Sequence, residues 1–258
     1  MEPTRPPGTV LGLRARQWMI VAITLGCVYV VVTAAALTGA WATLNREPTN
    51  AELKRAAAAE VARRWQAWPS GRIFPERVSY TTSSAGRSEF AGRLGIVPGT
   101  DCAAAVDGEL AAVLGRHGCR AVLRATYTDQ LEGVVVTVGV VVFPDAFAAD
   151  RAFKQIPAST PADAVRARGV RPALRAAAFP GTAGARFTDA ARQDRTSDRG
   201  GPYVVLTTSG QSDGRPASAI TKVRPGLPFE SAPQIGRQIA RSLSQQALPD
   251  CSSDEWRC

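Results

Sequence analysis

A single histidine, His117, stands in the whole chain. That excludes His-rich metal centres and the HExxH zinc site, and it leaves one imidazole for acid–base work. No Walker A loop and no GxGxxG fingerprint occurs, so two common nucleotide-binding modes are also excluded. Lysine is nearly absent: Lys54, Lys154 and Lys222 are the three, and the other 28 of the 31 basic residues are arginine. Abundant Ala, Gly and Pro accompany them, a composition expected of a GC-rich, actinobacterial genome. Cysteine is sparse too, with five in 258 residues, and their placement carries the compartment argument below.

What the chain does have is a long uncharged run near its start. WMIVAITLGCVYVVVTAAALTGAW extends from Trp18 to Trp41, with 22 uncharged residues between the two tryptophans. As a helix these span about 33 Å, enough for the hydrocarbon core of a bilayer. The two indole rings mark its ends at the interfaces. Arg5, Arg14 and Arg16 precede the run, whereas Arg46 follows it beside Glu47. The positive-inside rule therefore predicts a cytoplasmic N-terminus and an extracytoplasmic remainder in the cell membrane, single-pass. The apolar run exceeds the 7–15 residues of a secretory signal, which predicts an uncleaved signal-anchor, although Ala34-Ala35-Ala36 resembles a cleavage site.

The organisation expected is a cytoplasmic tail over 1–17, a transmembrane helix over 18–41, a membrane-proximal helix over 42–70, an extracytoplasmic α+β domain over 71–250, and a cysteine-framed tail over 251–258. Thr49 and Glu52 have the capping-box spacing at the start of AELKRAAAAEVARRWQAW, and Leu53, Val61, Trp65 and Trp68 supply its apolar face. ERVSYTT alternates like a strand. In DCAAAVDGELAAVLGRHGC, Asp101 and Asp107 compete as helix caps, and Gly108 favours a break at Asp107.

CRAVLRATYT, the turn DQLEG and VVVTVGVVVF predict an antiparallel hairpin with one deeply buried strand. DAFAADRAFKQI follows as a helix with Phe147, Ala148, Phe153 and Ile156 available for packing. Residues 157–201 are Arg-, Ala- and Pro-rich and read as irregular, with a helix near PADAVRAR and a strand near ARFTD. PYVVLTTSG and ASAITKV, joined by QSDGRP, predict a second hairpin. SAPQIGRQIARSLSQQAL then forms an amphipathic helix with Ile235, Ile239 and Leu243 on one stripe. The fold class expected is α+β: an antiparallel sheet of two hairpins with helices packed on one face.

Cys27 lies in the apolar run. The remaining four cysteines fall on the extracytoplasmic side, where an even number predicts two disulfides. An unbroken helix would hold Cys102 and the next cysteine about 22 Å apart, too far to bridge. The break at Asp107 removes that obstacle and favours Cys102–Cys119 with Cys251–Cys258. The ending CSSDEWRC is no prenylation signal, because Glu255 occupies the fourth position from the end.

Chemistry is thinly supplied. GQSDG matches the letters of a nucleophile elbow around Ser212, but a strand rather than a helix is expected after it, and His117 precedes it. Asp107 with Glu109, or Asp129 with Glu132, are paired carboxylates at cap and turn positions. The expectation is a non-enzymatic binding, sensing or interaction module without metal or cofactor. A carboxylate-dependent enzyme acting on cell-envelope glycan, and an accessory subunit of a membrane complex, are the alternatives. The partners expected are the lipid bilayer, through the Trp18–Trp41 helix, and an envelope protein or an anionic cell-wall or lipid partner. Arg166, Arg168, Arg171 and Arg175 are the residues expected to meet that anion. No basic stripe interleaved with aromatics occurs, which argues against nucleic acid.

Overall fold

The computed structural model describes residues 14–46, 48–83, 86–157, 169–220 and 229–247. The chain divides into two compact units, Met1–Glu52 and Leu53–Cys258. The first contains helix α1, Ala15–Leu44. It is exposed along its length, and it is the one helix among the described residues long and apolar enough to cross a membrane. Its hydroxyls find partners within the helix: Thr24, Thr33 and Thr38 donate to the carbonyls of Ile20, Tyr29 and Ala34 at 2.9–3.0 Å. That satisfies polar groups where no water competes. After α1, the Thr49 amide donates to Glu52 Oε2 at 2.9 Å, and the Glu52 amide returns to Thr49 Oγ1 at 3.4 Å. This capping box starts α2, Asn50–Ala67.

The second unit is a six-stranded antiparallel half-barrel with helices on both faces. Strands β1 (Arg77–Thr81), β2 (Ser88–Val97), β3 (Ala121–Thr128), β4 (Val134–Val142), β5 (Asp194–Gly200) and β6 (Tyr203–Gln211) lie in the order β1-β2-β3-β4-β6-β5. Strand β4 is at the centre, and eight of its nine residues are buried. Its even-numbered valines, Val136 to Val142, join Tyr127, Val205 and the stripe Ile235, Ile239 and Leu243 of the last helix α7, Ser231–Ser244. Val141 on the opposite face packs with Val122, Val204 and Leu206 under α4 (Cys102–Ala105), α5 (Gly108–Arg116) and α6 (Ala146–Phe153). Helices therefore cover both faces instead of the single face expected. The uninterrupted valine run of β4 requires it, because a strand apolar on both sides must be buried on both.

The sheet curls around α7. At one edge, Gln234 clamps the Thr81 amide and carbonyl at 2.9 and 2.8 Å, and Gln238 donates to the Ser79 carbonyl at 2.6 Å. At the other edge, Gly200 of β5 sits so close to α7 that a Cβ there would fall 2.6 Å from the Ala240 carbonyl. The unpaired backbone groups of β1 are thus partly occupied by helix side chains, which blunts an exposed edge.

Several expected elements differ. PYVVLTTSG does form the inner strand of a hairpin, β6. Its partner is the preceding DRTSDRG of β5, from Asp194↔Ser209 to Gly200↔Tyr203. The described part of ASAITKV is a 3₁₀ turn, Ala217–Ala219. The reason is geometric: β4 and β5 already occupy both edges of β6, and a strand has only two. ARFTD runs from a turn into a 3₁₀ segment, Asp189–Ala191, instead of a strand. The Ser88–Val97 stretch, for which no element was expected, is β2 and pairs with β1 and β3. Phe147 is exposed on α6, with the Arg151 guanidinium 5.6 Å from its ring centroid, while Ala149 and Ala152 carry the packing. The helix expected near PADAVRAR and the 251–258 tail lie outside the described residues.

Candidate functional site

Of the two competing caps around Cys102, Asp101 caps with its side chain, whereas Asp107 holds the N-cap position of the next helix without a side-chain capping bond. Asp101 Oδ1 accepts from the Ala104 amide at 2.6 Å and starts α4, while Val106 breaks out in extended geometry. Asp107 then precedes α5. The break folds the segment back, and Cys102 is joined to Cys119 by a disulfide with the Cα atoms 6.4 Å apart. Cys251 and Cys258 lie outside the described residues.

The arginine-rich segment lies across the sheet face that carries Val141. Leu174 sits over Gly139, and the Thr126 hydroxyl donates to the Ala177 carbonyl at 2.8 Å. The Ala177 amide donates to Thr137 Oγ1 at 3.1 Å, and the two threonine hydroxyls are 3.0 Å apart. Because the Thr126 proton points to Ala177, Thr137 is the donor between them, and the four groups form a satisfied ring.

Arg192, 1% exposed, ties this segment down. Its guanidinium donates to the carbonyls of Leu174 and Asp189 at 3.0 Å each, and it pairs with Asp107 at 3.1 Å. Asp107 also accepts from the Ala173 amide at 2.9 Å. Asp107 is therefore a structural anion, in keeping with its position at a helix start, and it bridges to Arg192 and the Ala173 amide. Asp129 likewise serves its turn, accepting from the Gly133 and Val134 amides at 2.7 and 2.8 Å.

Further arginines lie on the strapped segment and on the strands. Arg171 is exposed; Arg175 is exposed and donates from Nε to the Val106 carbonyl at 3.0 Å. Arg166 and Arg168 lie outside the described residues. Two further arginines come from the sheet. Arg195 on β5 is 8% exposed and donates to the Pro172 carbonyl, and its Nε has no partner among the described residues. Arg124 on β3 is half-buried; among the described residues its buried Nε has no partner and it makes no ion pair. Burial pushes the pKa values of both Arg124 and Arg195 down from the ordinary arginine value. The sequence signal for Arg124 was present, as a charge within an alternating strand, but the expected anion-binding arginines were all drawn from the 157–201 segment.

A second feature is an open groove of about 680 Å³ between α2, α3 (Ser70–Ile73) and α7. Its floor is the buried pair Glu60–Arg64, closest contact 2.6 Å, with Arg64 also donating to the Ser242 and Leu243 carbonyls at 3.0 and 3.1 Å. The guanidiniums of Arg64 and Arg72 lie 4.7 and 3.8 Å from the Trp68 ring centroid. Gln238, Arg241 and Gln245 complete a polar rim. His117 terminates α5, and Ser212 follows β6 in a turn, donating its amide to the Gly133 carbonyl at 3.0 Å. Among the described residues no cluster of three or more His, Cys, Asp or Glu side chains could hold a metal ion.

A disulfide-closed antiparallel half-barrel following one apolar N-terminal helix defines the class: an outside domain of a membrane-anchored protein. Residues 32–162, just over half of the chain, match the PknH-like extracellular domain, and the chain belongs to that family. Comparison with curated proteins and with solved structures gave no match.

Proposed function

We propose that this chain is a single-pass, signal-anchored bacterial membrane protein, N-terminus in the cytoplasm, whose outside domain is a non-enzymatic module that binds or senses an anionic partner of the cell envelope. The observation that carries the proposal is the family match. It begins inside the apolar helix and runs through the disulfide-linked segment, so helix and extracellular domain belong to one unit of descent. The arginine excess before the helix supports the orientation. The exposed guanidiniums of Arg171 and Arg175 on the strapped segment support an acidic partner. Periplasmic-active and cytoplasmic-active reporters fused after residues 12 and 247 test the topology; a cytoplasmic signal from the residue 247 fusion sinks it. Changing Arg166, Arg168, Arg171 and Arg175 together to glutamine tests the module. Association of the full chain with isolated cell wall or anionic liposomes should fall, and unchanged association overturns this assignment.

A further inference from the structure

The face of β3 that turns toward the arginine-rich segment reads Val122, Arg124, Thr126, Thr128. Val122 packs in the core, and both threonine hydroxyls have hydrogen-bond partners. Arg124 breaks the pattern. Its side chain stands half-buried among these groups, yet it donates no hydrogen bond and forms no ion pair among the described residues. A desolvated guanidinium without a partner costs stability. A residue that violates local rules without a compensating contact marks a functional position.

The sheet register shows what stands next to it. Arg124 lies opposite Gly139 on β4, and Leu174 fills the space above Gly139. Arg175 follows Leu174 and is held from its own side, its amide bonded to the Ala105 carbonyl and its Nε to Val106. Arg124 and Arg175 are thus each one step from the Leu174–Gly139 contact, Arg124 across the ladder and Arg175 along the chain. The acids in this region are already engaged. Asp107 pairs with Arg192; Asp189 accepts from the Ala176 amide at 2.8 Å and stands 3.8 Å from Arg192. Burial lowers the Arg124 pKa, Asp189 raises it, and the Arg175 charge lowers it further, as expected of two cations near one another.

We infer that Arg124 and Arg175 form a binding site for a phosphate monoester group. Two guanidiniums from different elements carry a surplus charge that a phosphate dianion balances, with three oxygens to accept from both. A single carboxylate brings one charge and two oxygens, and would leave one fork unfilled. The phosphoryl group can reside on a lipid headgroup or on a soluble envelope component, and the test separates these sources. The site rests on the proposed function, for which it supplies the chemical class of partner.

The experiment uses the full chain in detergent micelles and in nanodiscs. Inorganic phosphate is titrated while melting is followed, with acetate as the control anion. Flotation on vesicles with and without phosphatidic acid forms the second arm. Phosphate should raise the melting temperature by about 3 °C or more near saturation, and acetate should not. Arg124→Met should abolish the shift while melting at or above the wild type without phosphate. Arg175→Gln should weaken phosphate binding about ten-fold, the loss of one charge-assisted donor set. Phosphatidic acid flotation lost in Arg124→Met assigns the lipid source; flotation unchanged, with the phosphate shift lost, assigns the soluble one. No shift in the wild type, a shift retained in Arg124→Met, or an Arg124→Met protein that melts several degrees lower without phosphate overturns the inference. Envelope association that persists in Arg124→Met while its phosphate shift is gone leaves the site standing and counts against its use in the proposed function. Association lost only in the loop variant, with no phosphate shift in any protein, does the reverse.

Discussion

The side chain of Leu174 occupies the volume that a Cβ on Gly139 would need: the built atom falls 2.5 Å from Leu174 Cδ1. Leu174 is 1% exposed, so it has nowhere to retreat. This contact seats the arginine-rich segment on the sheet. Gly139→Ala should cost about 1–3 kcal/mol by overpacking, despite the better strand propensity of alanine. Leu174→Ala should cost about 2–5 kcal/mol. The double variant should be less destabilised than the sum of the two, because the methyl then enters the space that Leu174 left. Urea unfolding of the four proteins measures the coupling, and strict additivity would refute the contact.

The Glu60–Arg64 pair is buried at 4% exposure for each residue, and Arg64 also caps the last carbonyls of α7. Removing one partner leaves an uncompensated charge in the interior. Glu60→Ala is therefore expected to destabilise by about 3–5 kcal/mol. Replacing both residues with methionine should restore much of that loss, since an apolar pair of similar volume avoids the desolvation cost. Chemical denaturation decides: a Glu60→Ala protein within experimental error of the wild type would place this pair in solvent.

The elements legible in the sequence were those whose side chains announce burial. The valine run of β4 and the Ile235, Ile239, Leu243 stripe each show their period directly. Strands β2 and β5 were hidden because SEFAGRLGIV and DRTSDRG carry glycine and charge where alternation should show. β5 is an edge strand whose position is set by pairing with β6, not by its own apolar content. The candidate site was half legible for the same reason. Arg171 and Arg175 stood out in a charged stretch, whereas Arg124 required the register of β3 against β4, which sets it opposite the Gly139 that Leu174 covers. The cap at Asp101 and the helix break at Asp107 were legible because they act locally; the contact of Asp107 with Arg192, 85 residues later in the chain, was not.

The disulfide closes a loop with a sequence separation of 17. In the chain-entropy account such a loop contributes about 3 kcal/mol. Cys102→Ala with Cys119→Ala should then lower the melting temperature by roughly 6–12 °C for a domain of this size. The six-stranded core should persist, because the cross-link fastens α4 and the end of α5 at its margin. Circular dichroism melting of the paired variant against the wild type checks this. A melting point unchanged by the substitutions would mean that the crosslink contributes nothing beyond the packing around Leu110 and Leu114.

Asp194 at the start of β5 gives the fold a pH dependence of definite sign. Burial raises its pKa above the ordinary carboxylate value, against the opposing pull of Arg195. The folded state therefore holds this proton to higher pH than the unfolded chain does. The contribution to stability is fully present below the unfolded pKa of about 4 and declines as pH rises through the folded value, above which it stays constant. Other acids such as the half-buried Asp150 and the exposed Asp213, whose pKa values are lowered by Lys154 and Arg215, slope the opposite way, so the informative quantity is a difference between two proteins. Asp194→Asn carries no titrating proton there. Its stability advantage over the wild type should grow from pH 4 toward neutrality and then level off, at about 1 kcal/mol for each unit by which burial raises the Asp194 pKa. Urea midpoints measured across that range test it. An Asp194→Asn curve parallel to the wild type, or lower at neutral pH, would show that the carboxylate is stabilised in place, with Arg195 as its working partner.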